Sequence, residues 1–519
     1  SLSPSVSASA SVSPSASVSP SASTSPSASI SPSTSLSPSV SISPTPEPLG
    51  GTATIKVETI LSGDTLWTDL TSDTAAAEGL TIRYGIEGNG PLDCVAGTGE
   101  CGFTLQNWAT AAGRPQGYYS PNHYQKRTGW TFGLPLRVVF TDGARSSQSV
   151  SSITRSGSTA TVTTASSHGY STDFWVTIAG ASQSEYNGTF QITVTAPTIF
   201  TVTVTGTPAT PATGTITVIR AYVKHRGKIR VIDPVPGLAR AQLVAVTSYD
   251  GMRDLAEADV RTVTLQLDQR EDQLVTTVLD ALDADARPVD RDLDVGVDAY
   301  PYAFDNLGSG LKALTAIKEV ALSAFALVAM KGDGTLILRS RHTRSITTSA
   351  FTFNNSMHGL EAPSDLEGVY NRVRGEIHPK TVDPAATTVL FALTGTPPGI
   401  AAGQTLTVEG QYRDPADVSV PIGGTAIVTP ALAGTDYAGN AAVGGTGSDL
   451  TASLSVVLTP YASSCIFAVT NNHASSTIYL VTTGGATLLQ CRGKGVYDRA
   501  PQTYEASSTQ SYGLRPLQA

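Results

Sequence analysis

The segments FTDGA (residues 140–144) and IRAYVKHRGKIRVIDP (residues 219–234) decide how this chain is organised. Both contain β-branched and aromatic residues, which are typical of strands, and the first ends the strand-like run LPLRVVFTDG. They look like two halves of one sheet, although a long block separates them. Because a surface loop accepts an insertion at a small entropic cost, we expect that block to be inserted into a hairpin of the sheet.

The intervening block, residues 147–219, has a composition of its own. The runs SITRSGSTATVTT, DFWVTIAGA, GTFQITVT and IFTVTVTG are rich in Thr and Val, and TPATPATG closes the block. Thr and Val favour a pleated, half-buried surface, so the block is predicted to be a small independent β domain. Its Asn187-Gly188-Thr189 is a formal glycosylation acceptor, but the Asn-Gly pair fits a turn better.

Strand patterns and two helical patterns surround this block. TATIKVETI, LTIRYGI, CGFTLQNW and AQLVAVTSYDG are strand-like. One helix is predicted over REDQLVTTVLDAL, where Leu274, Val278 and Leu282 share a face. A second is predicted over residues 307–325, with Ser309 as N-cap and with a stripe formed by Leu311, Leu314, Ile317 and Ala321. ALVAMKGDGTLILRSR is predicted to be a hairpin with its turn at Gly332-Asp333-Gly334.

The two ends of the chain have different compositions. Residues 1–48 carry Ser at every odd position from Ser1 to Ser43, and Pro recurs every sixth residue from Pro14 to Pro44. Regular Pro removes backbone donors from a sheet and favours an extended polyproline-II arm; a disordered linker fits the same pattern. Residues 382–494 alternate apolar and polar positions between Gly/Pro turns, the pattern of a β-sandwich.

The sequence therefore predicts a mainly β, multidomain protein in which an α+β scaffold with a few helices carries two inserted β modules. The predicted domains are the arm at 1–48, a β domain at 49–146 plus 220–265, the inserted block at 147–219, an α+β domain at 266–381 plus 495–519, and an inserted sandwich at 382–494. A chain of 519 residues is long enough for several such cores.

The charge balance excludes some partners. Only 14% of the residues are charged and the net charge is −9, which argues against a general or specific nucleic-acid binder, because such a protein needs a basic face. The basic run Lys224, His225, Arg226, Lys228 and Arg230 is predicted to be a solvated strand edge.

No run of 18 apolar residues exists, so no membrane-spanning helix is expected. The chain begins with Ser and lacks a signal peptide pattern, so we expect a fragment or a processed product.

Four cysteines form two pairs in the sequence. Cys94 and Cys101 lie within DCVAGTGEC, and Cys465 and Cys491 lie in neighbouring strand-like runs. The spacing lacks the CxxC pairs of a zinc site. Two alternatives stay open for each pair: free half-buried thiols, or disulfides if the mature protein lives outside cells.

Catalytic and metal-binding patterns are absent from the sequence. There is no GxSxG, HExxH, GxxxxGK[ST] or GxGxxG in the required context, so no catalytic, cofactor-binding or metal-binding residue is predicted and no enzymatic activity is expected. The best metal candidates are Asp290, Asp292 and Asp294. A calcium loop needs Gly at its sixth position and Glu at its twelfth. Here Gly296 falls at the seventh position and Pro301 at the twelfth, so the pattern is broken. A solvated acidic loop is the expectation for this stretch, with a weak cation site as the alternative.

A loop rich in aromatic residues is the best candidate for a sugar-binding surface. It contains Trp108, Tyr118, Tyr119, His123, Tyr124, Trp130 and Phe132. Aromatic rings offer flat apolar faces to a sugar, but packing beneath a long loop explains the same cluster and is preferred here.

Several segments, taken in order, resemble the minor tail, or tail-tip hub, proteins of long-tailed bacteriophages. The similar segments are VAGTGECGFTLQN (95–107), GLPLRVVF (133–140), LVAVTSYDGMRDL (243–255), LKALTAIKEVALSAFALVAMKGDGTLILRSR (311–341), DLEGVYNRVRGEI (365–377) and QTYEASSTQSYGLRPL (502–517). The resemblance covers roughly 50–145, 220–380 and 495–519, and its last segment corresponds to a helix and turn in that family. Residues 147–219 also resemble a small β module found in phage virion proteins.

The resemblance implies a structural virion protein at the tail tip, a hub that closes the tail tube and joins it to the central fibre. It further implies self-assembly, as a homotrimer, and contacts with distal tail, tape-measure, tail-tube and fibre proteins. No catalytic residue is carried over, because the matched motifs are structural. The chain departs from the family at Ala324-Phe325-Ala326, which replace an acidic-Gly step, in its extra arm and in its missing C-terminal continuation.

Two other functions remain as alternatives. An extracellular adhesin or receptor-binding fibre module that recognises host surface glycans would explain the arm, the aromatic loop and the two β modules. A cell-wall hydrolase is the third hypothesis, because tail-tip proteins can carry lytic domains.

Overall fold

A computed structural model describes residues 54–75, 79–86, 88, 92–109, 113–141, 147–237, 242–260, 262–305, 311–344, 370–483, 487–508 and 516–518. The chain divides into the units Ser1–Pro48 and Leu49–Ala519, and every described residue belongs to the second. The predicted arm and the predicted N-cap Ser309 lie outside the described residues. Within the described part, no helix combines the length and the apolar character needed to cross a bilayer.

The first five strands pack around one apolar core. These strands are β1 (Thr54–Thr59), β2 (Thr68–Asp69), β3 (Leu80–Arg83), β4 (Glu100–Gln106) and β5 (Pro135–Thr141). In β4 the alternate residues Cys101, Phe103 and Leu105 are buried, as period-two alternation requires when one face meets a core. They pack with Leu136 and Val138 of β5.

The threonine-rich block forms six strands around a second core. They are β6 (Gln148–Ser156), β7 (Thr159–Thr164), β8 (Trp175–Ala181), β9 (Gly188–Gln191), β10 (Thr193–Ala196) and β11 (Ile199–Thr203). Alternate apolar side chains such as Ile153, Val162 and Phe200 are buried between them, while the intervening Thr side chains face outward. We call residues 148–213 the threonine-rich module.

One long strand joins the module to the scaffold. β12 (Gly214–Val235) has 22 residues; residues 214–221 pair with β8 of the module, and residues 221–228 pair with β5. Its C-terminal part pairs with β13 (Leu243–Asp250). The two segments that flank the block are therefore neighbouring strands of a single 13-stranded sheet. The boundary drawn at residues 219 and 220 falls inside a continuous strand, and the division into domains stays a prediction.

The prediction of a solvated strand edge fails for part of the basic run in β12. Residues 221–228 pair with β5 and β13 pairs from Gly227 onward, so the two partner strands overlap at Gly227 and Lys228. His225 is buried and its Nε2 lies 3.0 Å from the Ser248 hydroxyl, while Lys228 and Arg230 form ion pairs with Asp254. The alternation of a central strand distributes these cations between a core and a surface, instead of leaving them all in water.

Helices pack against this sheet. The elements are α1 (Gly251–Glu257), β14 (Gln269–Arg270), α2 (Glu271–Asp280), β15 (Asp290–Leu293), β16 (Ala299–Tyr300), α3 (Ala313–Ala324), β17 (Leu327–Met330), β18 (Thr335–Arg339) and α4 (Arg341–Arg344). Leu274 and Val278 of α2 and Ile317 of α3 share one core, as the helical periodicity predicts. The predicted hairpin is confirmed by the antiparallel pairing of β17 with β18.

Two helix details differ from the sequence prediction. α3 begins at Ala313 with Lys312 as N-cap, because Lys312 still has extended backbone angles. α1 was not among the predicted helices; the buried Asp250 caps it by accepting a hydrogen bond from the Met252 amide at 3.1 Å.

The remaining strands form several small sheets. They are β19 (Arg372–Ile377), β20 (Lys380–Val382), β21 (Thr388–Leu393), β22 (Gly399–Ile400), β23 (Thr405–Gln411), β24 (Gly423–Thr425), β25 (Ala438–Asn440), β26 (Leu454–Pro460), β27 (Ser464–Asn471), β28 (Ile478–Val481), β29 (Leu489–Asp498), β30 (Gln502–Ser507) and β31 (Pro516–Gln518). Strands β20 to β29 enclose one apolar core that includes Phe467, Leu480 and Tyr412. The prediction of a mainly β protein with several sheets is confirmed.

The closing segment differs from what the family resemblance implies. The segment matched to the family's helix and turn is 502–517. Its residues 502–507 form strand β30, which pairs along its whole length with β19, and its residues 509–515 lie outside the described residues. In two paired strands alternate residues face the same side of the sheet, and only an extended backbone gives this alternation. Residues 502–507 therefore have the backbone of a strand.

Candidate functional site: a tryptophan groove and an open sheet

The predicted aromatic loop is mostly a packing element. Tyr119 and Trp130 are almost fully buried and meet edge to face with ring centroids 5.1 Å apart. The Trp130 Nε1 donates to the Tyr119 carbonyl at 2.8 Å, and the Tyr119 hydroxyl is hydrogen-bonded to Asp73. Burial raises the pKa of Tyr119. Tyr124, which is 87% exposed, does not join this cluster.

The acidic stretch is not a solvated loop, because much of it is held by cations. Asp292 lies in β15 and accepts from Lys331 at 2.7 Å and from Arg339 at 2.5 Å. Those two cations hold the pKa of Asp292 well below its usual range, and Arg339 also binds Asp294 at 3.1 Å. Among the described residues, no group of three or more His, Cys, Asp or Glu side chains is arranged to hold a metal ion.

The remaining sequence candidates have structural partners. Asn187 is fixed to the backbone of Ala181 by two hydrogen bonds, of 2.9 and 2.7 Å, which shape the turn between β8 and β9. All four cysteines are buried, and none forms a disulfide. Burial raises the pKa of the Cys101 thiol to about 12, so this thiol is poorly nucleophilic.

A groove of about 660 Å³ lies between the scaffold sheet and the threonine-rich module. Its floor is a row of charged side chains on three adjacent strands: Glu58 of β1 pairs in register with Arg137 of β5, which pairs with Arg226 of β12. The neighbours Leu136 and Val138 face the opposite, apolar side of the sheet. The strand alternation thus directs this row away from the core.

Arg137 is the central side chain of this floor. It is 2% exposed, its Nε donates to Glu58 at 2.7 Å, and its Nη1 donates to the Thr189 carbonyl of the module at 2.9 Å. Its Nη2 is buried and has no hydrogen-bond partner among the residues that the structure describes. Burial lowers the pKa of Arg137 against the opposing effect of Glu58, and burial together with Arg137 lowers the pKa of Arg226.

Two half-buried tryptophans line the groove. The Trp67 ring lies against Arg137, whose Cζ is 4.2 Å from the ring centroid, and Arg226 lies 5.9 Å away. Trp175 comes from β8 of the module and donates from Nε1 to Asp333 at 3.3 Å. The groove is therefore aromatic at both the scaffold side and the module side.

The module wall of the groove is polar. Trp175 pairs across the hairpin with Gln191, and Thr177 pairs with Thr189, so these four side chains share one face. Asp173 precedes β8 with a φ of 69°, an unfavourable conformation for a side-chain-bearing residue that Asp tolerates better than most. Glu185 also lines the groove.

The sequence analysis did not identify this groove. Two signals were present: Arg137 interrupts the apolar run LPLRVVF, and Trp67 and Trp175 are two of only four tryptophans. Neither signal shows that residues so far apart in the chain converge, because convergence depends on sheet register.

A second feature is a sheet of three strands, β30, β19 and β31, which we call the open sheet. Arg372 and Arg374 both contact Glu505 on one face, at 2.7 and 3.2 Å. On the other face Val373 and Ile377 share a side with Tyr504, and these three side chains are 36%, 53% and 58% exposed. This second face is called the apolar sheet face.

The apolar sheet face continues onto the end of α3. Ile377 lines a cavity of about 970 Å³ together with Tyr302, Leu322 and Phe325. Leu322 and Phe325 are 44% and 39% exposed. Apolar side chains from the sheet and the helix thus form one exposed patch, of the kind that marks an interaction surface.

Comparison with known proteins gives little further information. No protein-family model matches the sequence, and no curated protein is similar to it. Among solved structures the chain is similar to the crystal structure of a 43 kDa tail protein of prophage MuSo2 from Shewanella oneidensis, with a TM-score of 0.32 and 7% sequence identity. The match covers 62% of this chain and 64% of that protein, so this chain spans less than two thirds of that protein's length. A likeness of this degree carries no argument about function.

Proposed function

We propose that this protein is a structural component of a long-tailed phage virion, a self-assembling hub at the tip of the tail. The ordered series of six segments that resemble tail-tip hub proteins supports the family, and the apolar sheet face is the observation that carries the assembly role. In this proposal the protein closes the tail tube, contacts distal tail, tape-measure and tube proteins, and connects to the central fibre. It has no catalytic role.

The physical argument begins with the open sheet. Every residue of β30 is exposed, and most of β19 is exposed or only half-buried. A small sheet becomes stable when an apolar face packs against something else, and Val373, Ile377 and Tyr504 are only partly covered, at 36%, 53% and 58% exposure. A second layer supplied by another molecule would remove this apolar surface from water.

The occupant we propose is a second copy of the same chain. β30 and β31 each pair only with β19 among the described strands, so both edges offer backbone groups to a neighbour. Repetition of one such contact around a rotation axis closes a ring, which is the usual form of a homo-oligomer. We propose three copies, as in the family that the sequence resembles.

The assembly state tests this proposal directly. We expect the purified full chain to sediment as a closed oligomer, and Ile377→Asp to weaken assembly at least tenfold, because a desolvated carboxylate is costly in an apolar interface. Val457→Asp is the matched control, since Val457 lies on strand β26 and is 58% exposed outside the patch. Analytical ultracentrifugation over a concentration series measures both variants.

Two results would count against assembly through this face: a wild-type chain that remains monomeric at high concentration, or an oligomer that Ile377→Asp and Val457→Asp affect equally. The position in the virion has its own test. Antibodies against the protein, bound to intact phage and viewed by electron microscopy, should label the tail tip. Label on the capsid or along the tube would overturn the tip assignment.

A further inference from the structure

We infer that the tryptophan groove is a binding site for an uncharged saccharide. The inference does not depend on the tail assignment, because it rests on the groove alone. Its volume of about 660 Å³ falls within the range of roughly 300–1,000 Å³ that small-ligand sites occupy. A short oligosaccharide, with apolar ring faces and hydroxyl edges, is the ligand whose chemistry matches the walls.

The apolar ring faces of a sugar need aromatic partners. Trp67 and Trp175 are each half-buried and therefore present part of their rings to the groove. Arg137 packs against Trp67 and Asp333 accepts the indole hydrogen of Trp175, so both rings are fixed before a ligand arrives. A pre-ordered aromatic platform binds with less loss of conformational entropy than a mobile one.

The hydroxyl groups of a sugar need both donors and acceptors. Arg226, which is only partly buried, lines the groove and supplies guanidinium donors. Gln191 adds an amide, while Asp173 and Glu185 add carboxylate acceptors. A hydroxyl both donates and accepts, so a polyol can satisfy this mixed set.

The charges in the groove favour an uncharged ligand. Glu58 is bound to Arg137 and offsets its charge. Of the other lining groups, Arg226 is a cation whereas Asp173 and Glu185 are anions, and Asp333 acts electrostatically on Arg226. An acidic sugar would therefore meet more carboxylates than free guanidinium groups, and in a partly desolvated groove that repulsion disfavours binding.

A glycan array probed with the full chain provides the test, and we expect binding to uncharged oligosaccharides in preference to sialylated, sulfated or phosphorylated ones. For the best array ligand, titration calorimetry should show that Trp67→Ala weakens binding at least tenfold. Gln191→Ala, a smaller change on the module wall, should weaken it threefold or more. Tyr124→Ala is the control, because this exposed aromatic lies outside the groove, and it should change affinity less than twofold.

Three outcomes would overturn the inference. The first is no binding to any uncharged glycan on the array. The second is a preference for acidic glycans, which would contradict the charge argument. The third is a ligand whose affinity falls with Tyr124→Ala and not with Trp67→Ala or Gln191→Ala, which would move the site to the aromatic loop. Because the groove shares no lining residue with the open sheet or its adjoining cavity, the variants that lose binding should still assemble, so failure here and failure of the assembly proposal give different results.

Discussion

Buried polar residues of the large sheet have two different roles. Arg137 keeps its charge by pairing with Glu58, at the cost of desolvating two ions, and such pairs contribute little net stability. His225 instead lies in β12 with the Ser248 hydroxyl as its partner, and burial lowers its pKa to about 4. Arg137 thus presents charge to the groove, whereas His225 makes the free energy of unfolding depend on pH.

The pH dependence gives a prediction for His225. Its pKa is lower in the folded chain than its ordinary value of about 6.5, so its contribution to stability is fully present above pH 6.5 and is lost as the pH falls towards 4. Buried Asp250, whose pKa is raised to about 6, acts in the opposite direction: its contribution is present below pH 4 and is lost as the pH rises through 6. The free energy of unfolding of the wild type, measured against pH, therefore shows only the sum of these two opposing effects.

A neutral substitution separates them. We expect His225→Gln to destabilise the protein more at pH 7.5 than at pH 4.5, by about 2 kcal/mol, because only the wild type must bury a histidine that is protonated when unfolded. Urea denaturation followed by tryptophan fluorescence at both pH values measures this difference. Equal destabilisation at both pH values would show that the His225 imidazole keeps its ordinary pKa.

At the scale of elements, the turn of the β17–β18 hairpin docks on the backbone of β12. A Cβ atom at Gly332 would lie 2.7 Å from the Lys224 carbonyl oxygen and 2.9 Å from that of Val223. The next residue, Asp333, accepts the hydrogen bond from Trp175 of the module. Glycine at 332 therefore permits a contact between three elements that are distant in sequence.

Gly332→Ala should disturb this contact. Since the opposing atoms are backbone atoms of β12, which pairs with β5 there, we expect a loss of roughly 1–3 kcal/mol in the free energy of unfolding, as for other overpacked sites. Movement of Asp333 should also alter the fluorescence of Trp175. Gly375→Ala is the control, because a Cβ there meets nothing within 4 Å of the chain itself; both variants are compared at concentrations at which the chain is monomeric. If the two variants had equal stability, the proposed close approach would be wrong.

At the scale of the whole molecule, β12 makes the threonine-rich module continuous with the scaffold. The groove exists only where the two meet, with Glu58, Trp67 and Arg137 from the scaffold and Trp175 and Gln191 from the module. The open sheet, by contrast, contains residues from neither the 13-stranded sheet nor the module. Ligand binding and assembly are thus assigned to separate regions of the chain.

Removal of the module tests this separation. Thr141 and Ala221 are paired neighbours in β5 and β12, so residues 142–220 can be replaced by Asn-Gly, a favoured two-residue hairpin turn. We expect the shortened chain to assemble as the wild type does and to bind no saccharide. It should lose some stability, because Val139 and Val223 are no longer covered by Trp175. Sedimentation and the glycan array measure the two functions, and loss of assembly would show that the module also takes part in the interface.

The sequence by itself determined the local elements of this protein. Period-two alternation located strands such as β4, β13 and β27, helical spacing located α2 and most of α3, and Gly332-Asp333-Gly334 located a turn, because each pattern records which side of a short segment is buried. The sequence also favoured packing over sugar binding for the aromatic loop, and Tyr119 and Trp130 are packed in the structure. The family resemblance supplied a functional hypothesis, but residues 502–507, which begin the segment matched to the family's helix and turn, form a strand.

Only the tertiary structure decided which distant segments meet. Sheet register determines the 22-residue strand, the pairing of the basic run with β5 and β13, the row formed by Glu58, Arg137 and Arg226, and the pairing of β19 with β30. Register between remote strands leaves no period in the local sequence, because it is fixed by the burial of whole faces and by backbone hydrogen bonds. Both candidate surfaces, the tryptophan groove and the open sheet, arise from such pairings.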